Sequence, residues 1–154
     1  MPLPQRKPNR LSGYDYSTPG AYFITVCTSQ KRHLFWKEPH STAPAPQDVP
    51  LSPLGILADQ VIRDIPVHYP TMRVDHYVVM PNHIHLLLRI TAPGGAAIDN
   101  VIRQFKRIVS KQAGFSVWQK DFHDHIIRRD EDYRSVWNYI DGNPARWRED
   151  DYYG

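Results

Sequence analysis

His83 and His85 stand one residue apart inside the run Tyr77-Val78-Val79-Met80-Pro81-Asn82-His83-Ile84-His85-Leu86-Leu87-Leu88. In an extended chain successive side chains alternate between faces, so both imidazoles project to one side while Ile84 and Leu86 project to the other. Two imidazoles buried side by side at the start of an apolar strand are unfavourable unless their nitrogens are used, and a divalent metal is the simplest user. A catalytic ion needs a further protein ligand and an open position. Tyr139 and Asn143 are four residues apart in a segment of helical periodicity, about 40° apart around a helix. If that helix lies on the His83 and His85 face, Asn143 can supply an oxygen ligand, and Tyr139 presents its hydroxyl one turn away. An unperturbed phenol titrates near about 10 and is a weak nucleophile at neutral pH. A Lewis acid polarising a bound phosphate assists its attack from the other side. Together these residue types point to phosphotyrosine formation. Tyr133 is the rival nucleophile, but it lies about 80° from Asn143 in the opposite sense and fits less well.

The elements that must position these groups follow from local pattern. Ala21–Thr28 has strong β-propensity and reads as the first strand. Residues 38–53 form a Pro-rich loop, after which Ser52 reads as an N-cap with Pro53 at the first helical position. Leu54, Leu57, Ala58, Val61, Ile62 and Ile65 then fall at helical spacing, and Pro66 limits that helix. Two strands, about residues 73–80 and 83–90, are joined through Pro81-Asn82 as an antiparallel hairpin. Ile98, Val101, Ile102, Phe105, Ile108 and Val109 define a second amphipathic helix that stops near Gly114. A short strand is expected around Val117-Trp118, and a last helix from Asp130 or Glu131 to before Pro144. This order predicts an α+β fold of ferredoxin-like type: an antiparallel sheet with helices packed on it and a C-terminal helix carrying the tyrosine.

The chain has 154 residues, 41% of them hydrophobic and 23% charged, which suits one soluble globular domain. Residues 1–20 read as an extended basic arm and 21–150 as a single catalytic domain. A net charge of +3 and a pI near 9.0 lean weakly toward a polyanionic partner. Cys27 is the only cysteine, so neither an internal disulfide nor a cysteine-rich zinc site is expected. With no signal-peptide core and no run approaching the about 20 apolar residues of a membrane span, the expected location is cytoplasmic. The outer face of the second helix carries Arg103, Lys106, Arg107 and Lys111. This stripe is a solvated face or a track for a DNA backbone. Arg6, Lys7 and Arg10 in the arm, and His125 and Arg128 near the last strand, are further candidates for phosphate contact. Trp118, Phe122 and Trp137 either stack on bases or pack the core.

Across these residues the chain resembles the single-tyrosine HUH transposases (the IS200-like family), and among them the REP-associated tyrosine transposase group. The resemblance begins at Gly20–Thr28, continues through His83-Ile84-His85 and the basic helix with Phe105-Lys106, and includes Val117-Trp118-Gln119 and Phe122–Arg128. It closes on Tyr139-Ile140-Asp141-Gly142-Asn143-Pro144 and covers about residues 10–150. It implies Tyr139 as nucleophile, with His83, His85 and Asn143 binding magnesium or manganese. It also implies cleavage of single-stranded DNA beside a hairpin (REP-like palindromes), through a 5′-phosphotyrosine and a free 3′-hydroxyl, by a monomer or homodimer. The 38–53 loop is longer and richer in proline than the family pattern requires. Two other readings stay open: a DNA or RNA hairpin-binding protein that does not cleave, and a metal-dependent phosphoesterase that uses water.

Overall fold

The computed structural model describes residues 13–153; the candidate contacts at Arg6, Lys7 and Arg10 lie outside them. Four strands, β1 (Gly20–Cys27), β2 (Met72–Val79), β3 (His83–Ile90) and β4 (His123–Ile127), form one sheet in the order β2-β3-β1-β4. Every adjacent pair is antiparallel. Helix α1 (Pro53–Arg63) and the single turn α2 (Ile65–His68) connect β1 to β2. Helix α3 (Ile98–Ala113) connects β3 to β4, and α4 (Asp130–Gly142) follows β4. Each crossover leaves room for a third strand between the two it joins, the interleaved arrangement of the ferredoxin-like sandwich. The expected fold class holds.

The last strand departs from expectation. Val117-Trp118 makes only an isolated bridge, Thr28 to Trp118, and the strand proper is His123–Ile127. Trp118 belongs to the core instead, with its indole N–H donating to the carbonyl of Lys106 at 3.1 Å. Of the segment read as an arm, residues 13–19 form turns. Tyr16 is buried in the core cluster, and the Tyr22 hydroxyl donates to the Thr18 carbonyl at 2.6 Å.

Alternation divides the sheet into two faces. Tyr22, Ile24, Val26, Ile84, Leu86 and Leu88 are wholly buried on one face, which also bears Tyr77. The Tyr77 hydroxyl donates to Asp59 of α1 at 2.6 Å, and α1 packs beside α3, so both long crossover helices cover this face. His83 and His85 occupy the other face, where α4 lies.

Helix α1 starts where Ser52 accepts a hydrogen bond from the Gly55 amide at 3.1 Å and donates to the Leu34 carbonyl at 2.6 Å. Gly55 is required by close approach, because a Cβ there would collide with the carbonyl oxygen of Phe35. Helix propensity alone favours Gly55→Ala by about 1 kcal/mol. The collision is with backbone, and overpacking of that kind costs about 1–3 kcal/mol. Gly55→Ala is therefore expected to lower the urea midpoint at unchanged m-value. A midpoint equal to or above wild type would contradict this packing.

The Pro-rich 38–53 loop is a packed element. The Pro39 carbonyl accepts from the buried Trp147 indole at 2.6 Å, and the Ala43 amide donates to the Pro144 carbonyl at 3.2 Å. The loop thus fastens the chain after α4 to the body of the domain. Burial, and the charge His40 would carry beside it, hold His33 in this region below the usual histidine pKa.

Candidate active site

His83 and His85 point to one face as alternation requires, and neither is exposed beyond 1%. Their ring centres are 4.6 Å apart. Both rings are oriented through Nδ1. Asn82 Oδ1 lies 2.8 Å from His83 Nδ1, and the Asn82 amide nitrogen donates to the Tyr152 carbonyl at 2.8 Å. With the amide nitrogen committed, the oxygen must face His83, so Nδ1 carries the hydrogen and Nε2 carries the lone pair. Thr25, the cross-strand partner of His85, places its hydroxyl 2.8 Å from His85 Nδ1 and can fix the same tautomer there. An oxygen held against Nδ1 leaves Nε2 free of the proton, as a metal-binding imidazole requires.

Helix α4 brings the other two residues to this face. The Tyr139 ring lies 5.2 Å from the His85 ring and 6.4 Å from that of Phe23. Asn143 is 3% exposed at the helix end. Its amide nitrogen donates to Asp150 at 2.6 Å, while its Oδ1 is buried with no hydrogen-bond partner among the described residues. A buried amide oxygen left in this way costs about 1–3 kcal/mol unless something uses it, and a cation would. Among the described residues no three His, Cys, Asp or Glu side chains cluster to hold a metal. The donors offered here are the two imidazoles on the sheet and the Asn143 oxygen at the end of the helix that lies on it. By their chemistry, two imidazoles and an amide oxygen would suit a divalent ion. Tyr133, the rival nucleophile, points elsewhere: its hydroxyl donates to Asp75 at 2.6 Å.

The chain beyond α4 closes over the histidines. Trp147 is fully buried, and the Tyr152 ring stacks on His83 at 4.2 Å with 26° between planes. Asp150 accepts from both the Asn143 side chain and the Tyr152 amide. Tyr139 and Asn143 line a cleft of about 270 Å³ together with Arg146, Glu149 and Asp150.

The other candidates are scattered. His125 and Arg128 share a cleft of about 430 Å³ at the β4 edge with Arg129, Asp124 and Asp132. His125 lies across β1 from the histidine strand, paired with Phe23 on the His85 side of the sheet. Arg103, Arg107 and Lys111 are exposed on α3, in the layer opposite to His83 and His85, so they do not form one surface with the site. Lys106 leaves the stripe altogether. Its ammonium donates to the carbonyls of Gln119 and Lys120 at 2.7 and 3.0 Å, and burial lowers its pKa. Thr25, Asn82, Asp150 and Tyr152 were not singled out from sequence. Only Asn82 carried a local signal, as the turn residue beside His83.

The fold is the one found in solved transposase structures. The chain is 31% identical to an uncharacterized protein of Haemophilus influenzae, over 96% of this chain and 93% of that protein. It is 30% identical to the REP-associated tyrosine transposase of Escherichia coli K12, over 47% of this chain and 44% of the relative, so less than half of that protein is matched. The solved structure of a REP-associated tyrosine transposase bound to a REP hairpin superposes with a TM-score of 0.64, at 22% identity, over 92% of this chain and 74% of that one. No family model matches the chain. In sequence and in fold the chain is similar to REP-associated tyrosine transposases. Among the described residues, no helix is long and apolar enough to cross a membrane.

Proposed function

We propose that the protein is a divalent-metal-dependent nuclease and strand transferase that acts on single-stranded DNA next to a hairpin. The observation that carries this reading is the juxtaposition, within one chain, of the Tyr139 ring and the His83–His85 pair, with the buried Asn143 oxygen one turn beyond Tyr139. The hairpin substrate is inferred from the relative whose structure holds a REP hairpin.

His83 and His85 through Nε2, and Asn143 through Oδ1, would hold magnesium or manganese. When bound, the ion supplies Lewis-acid polarisation of the scissile phosphate. Asn82 and Thr25 keep the imidazoles in the metal-binding tautomer. Tyr139 Oη attacks phosphorus in line; its proton passes to solvent as the P–Oη bond forms. The P–O3′ bond breaks, and the departing oxygen takes up a proton as a 3′-hydroxyl. One phosphodiester is exchanged for another, so the step needs no nucleotide energy source and is reversible onto a second 3′-hydroxyl.

The test is a covalent-adduct assay. The full chain is incubated with end-labelled hairpin DNAs bearing single-stranded flanks, in manganese or in EDTA. The expected result is a denaturation-resistant band on the downstream fragment in manganese alone. A complex that forms on many hairpins and never becomes covalent would replace this reading with hairpin binding without cleavage.

A further inference from the structure

Strand β2 carries one residue more than its partner: Val74 pairs with Leu88 and His76 with Leu87, leaving Asp75 as a bulge. Bulges re-aim side chains, and here the consequence is that two successive residues, Asp75 and His76, both face α4. The Asp75 carboxylate is 6% exposed. It accepts from the Tyr133 hydroxyl at 2.6 Å and from Arg89 Nε at 3.0 Å, and the Arg89 guanidinium sits 5.3 Å from the centre of the Tyr133 ring. His76 stacks on Trp137 with ring centres 4.3 Å apart and 29° between planes, and its Nε2 lies 3.2 Å from Asp141 Oδ1. Burial and the bond to Asp75 raise the Tyr133 pKa, which keeps its hydroxyl a donor.

Tyr133, Trp137 and Asp141 follow one another at intervals of four and form one flank of α4. Buried Val136 and Ile140 form its underside, and Tyr139 with Asn143 forms the opposite flank; the whole arc spans about 200°. Apolar packing is non-directional, so two buried residues do little to fix the roll of the helix or to hold it against local opening. The Tyr139 hydroxyl is about 9 Å from the helix axis, so a roll of about 20° would swing it by about 3 Å. A displacement of about 1 Å already costs about a hundredfold in a positioned reaction.

We infer that Asp75 and His76 are positioning residues: a two-point polar clamp from the β2 bulge that fixes the roll of α4 and thereby aims Tyr139 at the phosphate held by its own sheet. This inference rests on the nuclease reading for its consequence, though not for the clamp itself.

Its test compares wild type, Tyr133→Phe, His76→Ala, their double variant and His76→Gln, by hydrogen exchange and by steady-state hairpin cleavage. In the double variant the α4 amides are expected to exchange at least about tenfold faster, while those of β1, β3 and α3 stay within about twofold. Cleavage kcat should fall at least about thirtyfold with KM within about threefold. His76→Gln keeps a donor for Asp141 and should protect α4 better than His76→Ala. Tyr133→Phe is isosteric and keeps the assay readable if the double variant folds poorly. Unchanged α4 exchange, equal acceleration in every element, or a loss confined to KM would each overturn the inference. If wild type forms no adduct with manganese and hairpin DNA, the nuclease reading falls and the exchange arm still decides whether the clamp exists.

Discussion

Tyr139→Phe is expected to abolish both cleavage and the covalent adduct, a loss of at least about 10⁴-fold, while hairpin affinity stays within about twofold. The substitution removes one oxygen and leaves the ring, which packs within 6.4 Å of Phe23 and 5.2 Å of His85, so α4 keeps its seat. Tyr133→Phe is the matched control for simple loss of a phenol on the same helix. Its hydroxyl is committed to Asp75, so it can lower the rate through the placement of α4 but cannot eliminate the adduct. The same pair of variants separates the competing readings. A phosphoesterase that activates water would keep most of its hydrolysis in Tyr139→Phe. A hairpin-binding protein would show no adduct in wild type and no change in affinity in the variant. Hydrolysis in Tyr139→Phe at more than about a tenth of the wild-type rate would remove the tyrosine from the mechanism.

What could be read from the sequence is what short-range periodicity encodes. The alternation at His83-Ile84-His85 sets both imidazoles on one face whatever the partners of the strand, and the four-residue step from Tyr139 to Asn143 does the same on a helix. The capping of α1 by Ser52 and the end of α3 at Gly114, which adopts φ +84°, are equally local. Pairing is not local. The role of Thr25 depends on the register that sets it opposite His85, and that register is fixed by the packing of two strands 60 residues apart. The last strand was misplaced because Val117-Trp118 has the stronger β-propensity. His123–Ile127, with His123 and His125 on one side and buried Asp124 on the other, is strand because it completes the edge beside β1. Lys106 has the spacing of a surface stripe, yet it is drawn to two carbonyls that only the tertiary fold brings near it. The bulge at Asp75 leaves no mark on composition at all. Nor does the sequence after Pro144 announce that Tyr152 will cover His83.

Manganese is expected to raise the thermal midpoint of wild type and to have no effect on the His83→Ala/His85→Ala double variant. A ligand that binds only the folded state stabilises it by about 2.7 kcal/mol at a hundred times its Kd. For a chain of this size each kcal/mol shifts the midpoint by about 2–4 °C, so saturating metal should add about 5–10 °C. Both imidazoles and the Asn143 oxygen are already buried and held by Asn82, Thr25 and Asp150, so little ordering opposes binding. Asn143→Ala should reduce the shift without eliminating it, because it removes one of three donors and also removes a buried oxygen that has no hydrogen-bond partner among the described residues. That variant should be somewhat less stable than wild type in EDTA, because the bond from the amide nitrogen to Asp150 is lost with the side chain and the removal of the orphaned oxygen offsets only part of that loss. An undiminished manganese shift in Asn143→Ala would show that the Asn143 oxygen is not a ligand. An equal manganese shift in the double histidine variant would place the ion elsewhere in the molecule.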